Sequence, residues 1–316
     1  MKSIYLHCPL LPAADYTTVL ETLCLQPVQN VTVYTYADWI SIRAINSLIE
    51  AQKAFGISKN VRFRNILVLS RIPCFTPMLR RCLIKNSISL DLQITAQQAK
   101  KLVKPMQKLS RSGIQTKLWV AETADQPALY RHFAQLGLPL HLQRPQYTAE
   151  TADWFSAWLF DPKAQGINTF CDIITALTLD THSPNCRYAS CLGTTYYVDD
   201  RLQVYLCPHH RDQRTYLGRL APQTQLLQQD AFVRLLTDAV TKRNHCAANC
   251  DGFAFCQGAC MLEGHSAPEC DHYLATVRRI REALLDVYHN RKLHLVNPVV
   301  KSAILNALAF GTAFFN

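Results

Sequence analysis

Apolar and polar positions along the first half of the chain switch repeatedly between a strand period and a helix period. Ser3–His7 reads as a short apolar strand and Asp15–Leu25 as a helix. Val31–Tyr36 is a second strand, with Asp38 placed to cap a helix through Phe55. Asn65–Ser70 is a buried-strand run and Thr76–Lys85 is helical. Ile88–Ile94 precedes a basic helix at Ala96–Ser110, ended by Gly113. Gln115–Val120 precedes a helix at Gln126–Leu136, ended by Gly137, and Leu138–Leu142 precedes a helix at Ala149–Leu159. Six strand–helix units in succession predict a parallel sheet, either doubly wound or part of a barrel. No strand–helix turn carries a phosphate-cradling glycine loop, so nucleotide-binding motifs are absent from the sequence.

Beyond residue 170 the pattern changes. Thr194–Val198 and Gln203–Leu206 are rich in strand formers and flank Asp199-Asp200-Arg201, which predicts a hairpin. Asp271–Tyr288 reads as a helix. The tail Asn297–Asn316 runs on from Pro298 with the apolar residues Val300, Ile304, Leu308, Phe310, Phe314 and Phe315, interrupted by Lys301 and Asn306. It is too short and broken to span a bilayer; docking on the protein's own core is expected ahead of a partner or membrane-surface helix. The expected division is a βα domain over 1–170, a cysteine-rich domain over 171–275 and a helical tail over 276–316.

Composition adds one anomaly. The chain has 316 residues, 49% hydrophobic and 18% charged, and 13 cysteines. A chain this long can bury a sizeable core without covalent staples, and an odd cysteine count cannot be fully paired within it. With no secretory signal and no long apolar run, the expected compartment is the reducing cytoplasm, where clustered cysteines hold metals more often than they form disulfides. The net charge of +10 suits an anionic partner. The basic residues are not interleaved with an aromatic signature, so nucleic acid is not expected.

The cysteines sort themselves by position. Cys8, Cys24, Cys74, Cys82 and Cys171 are isolated and read as small buried hydrophobes. The other eight fall between Cys186 and Cys270. Cys186 and Cys191 precede the hairpin, which returns Cys207 beside them. Cys246, Cys250, Cys256 and Cys260 follow with spacing C-x3-C-x5-C-x3-C around Gly252 and Gly258, and Cys270 stands before the next helix. Eight thiolates make two sets of four, suited to two [4Fe–4S] clusters or to two structural zinc ions. The loose, irregular gaps lack the C-x2-C knuckles of paired zinc sites and favour iron–sulfur, with zinc as the alternative.

This pattern resembles the SPASM domain, the C-terminal auxiliary-cluster module of radical SAM peptide-modifying enzymes. The resemblance runs over roughly residues 183–275 and includes the Cys186/Cys191 pair, the Val204-Tyr205-Leu206-Cys207 strand, Gly218-Arg219-Leu220 and Cys246 to Cys270. Two features depart from it. The first gap of the late motif is x3 instead of x2, and Leu202 replaces a glycine in the hairpin turn. The resemblance implies interleaved ligation, with one cluster on Cys186, Cys191, Cys207 and Cys260 and a second on Cys246, Cys250, Cys256 and Cys270. Arg187, Arg219, His209 and His210 would then be placed to tune the clusters.

The same family carries C-x3-C-x2-C after its first barrel strand, holding the cluster at which S-adenosylmethionine binds. Aligning Cys8 with the first ligand puts Pro12 and Asp15 at the other two, and neither is a thiol. The family's glycine-rich patch is replaced by Tyr34-Thr-Tyr-Ala-Asp-Trp39. The expected fold is therefore α/β: a degenerate partial (β/α)6 barrel of radical SAM type, followed by a small cysteine-rich SPASM domain with a β-hairpin and C-terminal helices. No catalytic residues and no S-adenosylmethionine are expected. The implied role is an accessory protein in ribosomal peptide maturation, presenting substrate or relaying electrons for a catalytically complete radical SAM partner, with a peptide or its leader as ligand. The alternative is a peptide-binding scaffold whose metal sites are structural. Non-radical chemistry at an open iron is disfavoured, because eight cysteines leave two cubane clusters no open site.

Overall fold

A computed structural model describes residues 3–23, 28–71, 75–120, 125–143, 145–179, 194–221, 229–250, 252–256, 267–310 and 314. The chain forms two compact units, each built from separated stretches. Met1–Ile94, Lys104–Lys117 and Ser190–Val240 make the first; Thr95–Val103, Leu118–Ala189 and Thr241–Asn316 make the second.

The first unit alternates β1 (Ser3–Pro9), α1 (Ala13–Leu23), β2 (Asn30–Ala37), α2 (Ile42–Lys59), β3 (Arg62–Leu69), α3 (Pro77–Lys85) and β4 (Ser89–Ile94). The basic helix α4 (Ala96–Arg111) then leads to β5 (Thr116–Val120). Later come β7 (Thr195–Val198), β8 (Gln203–Tyr205) and β9 (Tyr216–Arg219). Within this unit the strand order is β4-β3-β2-β1-β7-β8-β9. Strands β1 to β4 are parallel and follow one another across the sheet. Right-handed crossovers winding in one direction lay their helices on one face, which is the arrangement a partial barrel uses.

The side-chain alternation shows which face that is. Ile4, Leu6 and Cys8 of β1 and Val31 and Val33 of β2 share a buried cluster with Tyr16, Val19 and Leu20 of α1 and Leu48 and Phe55 of α2. The intervening residues face the other way, where Tyr34, Tyr36, Ile66 and Val68 gather. Local signals position the helices. Thr76 caps α3 by accepting from Leu79 N at 3.2 Å, and Pro77 occupies the first turn, where its missing N–H costs nothing. The cap of α2 is Ser41, which accepts from Ala44 N at 3.3 Å, and not Asp38 as the sequence suggested. Asp38 instead accepts a hydrogen bond from Ser70.

The second unit holds α5 (Gln126–Gln135), β6 (His141–Leu142, parallel to β5), α6 (Thr151–Leu159) and α7 (Asn168–Thr178). Helix α8 (Asp230–Asn249) enters it from Thr241 onward; α9 (Phe253–Cys256), α10 (Ala267–His289) and α11 (Pro298–Ala309) complete it. Its core is aromatic: Phe155, Trp158 and Phe170 pack with ring centroids 5.3–6.0 Å apart. The tail docks here. Asn297 is fully buried, caps α11 through Val300 N at 2.9 Å and donates its side-chain amide to Trp158 O at 2.7 Å. Val300, Ile304 and Ala307 are buried behind it. No helix among the described residues is long and apolar enough to cross a membrane.

One polar pair under α2 offers a stability test. Gln52 Nε2 donates to Asn65 Oδ1 at 2.7 Å and to Tyr16 Oη at 2.9 Å, while Asn65 Nδ2 donates to Gln52 Oε1 at 2.8 Å. Asn65→Ala leaves the Gln52 amide buried with half its partners. The expected loss is about 1–3 kcal/mol, read as a lowered urea midpoint at unchanged m-value. An unshifted midpoint would show that this pair contributes nothing net.

Candidate metal centre

The eight candidate ligands are not all described: Cys186, Cys191 and Cys260, with Gly258 and Arg187, lie outside the described residues. Cys207 belongs to the first unit and is buried just past β8. The hairpin stands where the sequence put it. Asp199 Oδ1 accepts from Arg201 N at 2.9 Å and from Gln203 N at 2.8 Å, tying the turn, and Tyr197 and Val198 pair antiparallel with Tyr205 and Val204. What the sequence did not reveal is that β7 also pairs parallel with β1, so the hairpin extends the first unit's sheet. His209 and His210 are half-buried in the loop after β8, and Arg219 is exposed at the end of β9.

Cys246, Cys250, Cys256 and Cys270 belong to the second unit. Cys246 lies in the last turn of α8 and Cys250 directly follows that helix. Only Cys246 of this pair is helical, so the helical repeat does not set the direction of the Cys250 thiol. Cys256 ends the single turn of α9, and Cys270 stands in the first turn of α10. Gly252 packs closely on α10: a Cβ at that position would meet the end of the Leu274 side chain, which would have to turn aside.

The four thiols of this set interact. Burial pushes the Cys270 thiol up first, and the neighbouring Cys256, Cys250 and Cys246 push it further, followed by Asp271. All four are half-buried. Among the described residues no three or more His, Cys, Asp or Glu side chains stand at metal-ligating geometry around a common point. The thiols of Cys256, Cys250 and Cys246 lie near enough to raise Cys270, but the four are not gathered at ligand distances.

The loop after β1 does not fit the ligand triplet of the family. Cys8 is fully buried on the helix-facing side of the sheet, and burial pushes its thiol up to about 12. Pro12 lies just before α1, its carbonyl accepting from Tyr16 N at 2.9 Å, and Asp15 lies in that helix's first turn. Of the other isolated cysteines, Cys82 is buried in α3 and raised by burial, and Cys171 in α7 is pushed up to about 12 by the same cause. Cys24 and Cys74 lie outside the described residues.

The helix-free face of β1 holds a feature the sequence reading missed. His7 is fully buried, stacks on Tyr34 with centroids 4.5 Å apart and planes 2° apart, and its Nδ1 shares a 3.0 Å hydrogen bond with Tyr36 Oη. Tyr36, Tyr197, Tyr205 and Tyr216 continue the line of rings across β2, β7, β8 and β9 at 5.4–6.3 Å. Arg211 lies over the Tyr197 ring at 4.8 Å and donates to its Oη at 3.0 Å. The available signal was the alternation itself: Tyr5 and His7 against Ile4, Leu6 and Cys8, and Tyr34 and Tyr36 against Val31 and Val33.

No family model matches the chain, and no curated protein matches it. Solved structures do. One is described as native anSMEcpe with bound AdoMet, an anaerobic sulfatase-maturating enzyme of the radical SAM type with a SPASM domain. It matches with a TM-score of 0.68 and 12% identity over 91% of this chain and 98% of that one. The chain therefore has a radical SAM-type fold, a mixed α/β architecture around a parallel sheet.

Thiol chemistry separates the two kinds of cysteine. With its pKa near 12, Cys8 is about one part in ten thousand thiolate at pH 8. In the folded, metal-free protein, iodoacetamide should label Cys246 and Cys250 at least about a hundredfold faster than Cys8, as mapped by peptide mass spectrometry. Equal rates would place Cys8 in an accessible, ionisable setting and undo its assignment to the core.

Proposed function

We propose that this chain is an iron–sulfur accessory protein of the radical SAM/SPASM type, acting in the maturation of a ribosomally made peptide. It presents substrate, or relays electrons, for a catalytically complete radical SAM partner. The observation that supports this reading is the β1 loop: Cys8 lies in the helix-facing core, and Pro12 and Asp15 are the residues the sequence sets against the other two ligands. S-adenosylmethionine cleavage by this chain alone has no ligand triplet to support it.

In this reading Cys246, Cys250, Cys256 and Cys270 hold one [4Fe–4S] cluster, and Cys186, Cys191, Cys207 and Cys260 hold the other. A bound cluster supplies one-electron redox chemistry or structural cross-linking, and the two outcomes define two roles. The shared neighbourhood of the thiols on α8, α9 and α10 equally favours a scaffold whose metals, iron–sulfur or zinc, are structural. Clusters that stay redox-silent while peptide binding persists select the scaffold. Failure to co-purify with a radical SAM enzyme, together with no effect on that enzyme's product yield, overturns both accessory roles. The sheet of the first unit is proposed to be the wall of a partial six-stranded barrel, and the cytoplasm its compartment.

Anaerobic purification with iron and sulfide analysis should give about eight irons per chain and a broad absorption near ~400 nm. Cys250→Ala should lower iron to about half. A colourless protein loaded with zinc overturns the iron–sulfur assignment. Metal binding and folding should also be coupled. Tyr273 packs on Tyr147 at 4.9 Å and on Phe255 at 6.3 Å, close in sequence to Cys270 and Cys256. Removal of iron should therefore change the tyrosine region of the near-UV circular dichroism. An unchanged spectrum with unchanged cooperative unfolding refutes the coupling.

A further inference from the structure

The excess positive charge of this protein is concentrated. From Leu92 to Ala121 there is no Asp or Glu, while Lys100, Lys101, Lys104, Lys108, Arg111 and Lys117 all fall within that stretch. Helix α4 carries five of them. Lys101, Lys104, Lys108 and Arg111 are exposed and spaced by three, four and three residues, so they fall along one side of the helix, which carries Pro105 in its interior. At the helical rise the stripe is roughly 15 Å long. Among the described residues none of the four makes an ion pair.

That arrangement works against the helix itself. Like charges three or four residues apart each cost a few tenths of a kcal/mol, where an alternating pattern would gain as much. Lys108 and Arg111 stand in the last turn, where the helix dipole favours cations; Lys101 and Lys104 have no such compensation, which points to a requirement outside the folded chain. The choice of partner follows from the neighbouring positions. A helix that lies in a membrane surface exposes large apolar residues beside its cations, but Ala99, Leu102 and Leu109 of α4 are buried in the protein's own core. Single-stranded nucleic acid needs aromatic platforms between the cations, and α4 contains no aromatic residue.

We propose that the exposed stripe of α4 is the docking surface for an acidic peptide segment, with Lys101, Lys104, Lys108 and Arg111 pairing with its carboxylates. This deepens the accessory reading, which needs a precursor leader or partner segment to bind, but its test does not depend on metal content.

The probe is a short fluorescein-labelled peptide of alternating Glu and Ala, titrated with the full chain and followed by anisotropy. Binding should weaken steeply as salt is raised. The variant Lys101→Gln/Lys104→Gln/Lys108→Gln/Arg111→Gln should bind at least about tenfold more weakly. A variant losing the same charge elsewhere, Arg234→Gln/Arg278→Gln/Arg281→Gln/Lys301→Gln, should lose less than about threefold. The α4 variant should unfold at an equal or higher urea midpoint, since repulsion is relieved, which removes misfolding as an explanation. Equal losses in both variants reduce the effect to net charge and overturn the proposal. So does absence of peptide binding, or preferential α4-dependent binding to phosphatidylserine vesicles. Peptide binding by a protein that carries no iron would retain the surface and sink the iron–sulfur reading; iron without peptide binding does the reverse.

Discussion

Strand β1 is hydrogen-bonded along both edges, to β2 over Ser3–Pro9 and to β7 over Tyr5–His7. A strand paired on both sides with one face buried cannot slip by a residue without exchanging its whole core-facing set. The register therefore decides which neighbour, His7 or Cys8, faces the helices. It gives Cys8 to the hydrophobic cluster and His7 to the helix-free face, where the ring of Tyr34 and the hydroxyl of Tyr36 receive it. The chemistry of the β1 loop depends on this pairing. A thiol one position along would stand among polar aromatic groups, whereas at Cys8 it is held neutral by burial.

Much of the first unit was legible because each element has local punctuation. Strands β1 to β5 fall within a few residues of the apolar runs that predicted them, and Gly113 and Gly137 take the left-handed backbone expected of helix-ending glycines, at φ of 78° and 67°. The hairpin was legible through Asp199, whose side chain makes the turn it was read to make. Pairing was not legible. That β7 joins β1 in parallel is a contact between residues 190 positions apart, and periodicity carries no information about a partner strand. Helix α8 was missed for a different reason. Val233, Leu236 and Val240 are exposed on it, so its apolar residues do not form the single buried stripe that identifies an amphipathic helix. One departure from the family pattern, Leu202, sits at φ 58°. A leucine there bears the strain that a glycine avoids, while its side chain packs partly against the core of the first unit.

The second unit separates what packing stabilises from what the thiols can. Along α10, Tyr273, Val277, Ile280, Leu284 and Val287 are buried, and Arg279 Nε reaches Ser156 Oγ of α6 at 3.1 Å. With α11 held by Asn297, the helices α6, α7, α10 and α11 have an aromatic and aliphatic core of their own. Cys270 occupies only the first turn of α10, and α9 is one turn long. A helix that short has no stability of its own. The rest of the unit is held by burial, and on the proposed reading ligation would hold the thiol-bearing end.

Two groupings in this chain carry penalties that its fold does not fully offset. Lys101, Lys104, Lys108 and Arg111 repel one another along α4 without a carboxylate in the surrounding sequence. The Cys270 thiol is pushed up by burial and then by the neighbouring Cys256, Cys250 and Cys246. Elsewhere the same sequence pairs its charges in the ordinary way, as Arg214 does with Asp212 at 2.7 Å and Lys292 with Asp286 at 2.9 Å. On the proposed reading, a metal centre would relieve the thiols and an acidic segment the ammonium and guanidinium groups. Since the two partners act on separate stretches of chain through different chemistry, each can be removed without removing the reason for the other.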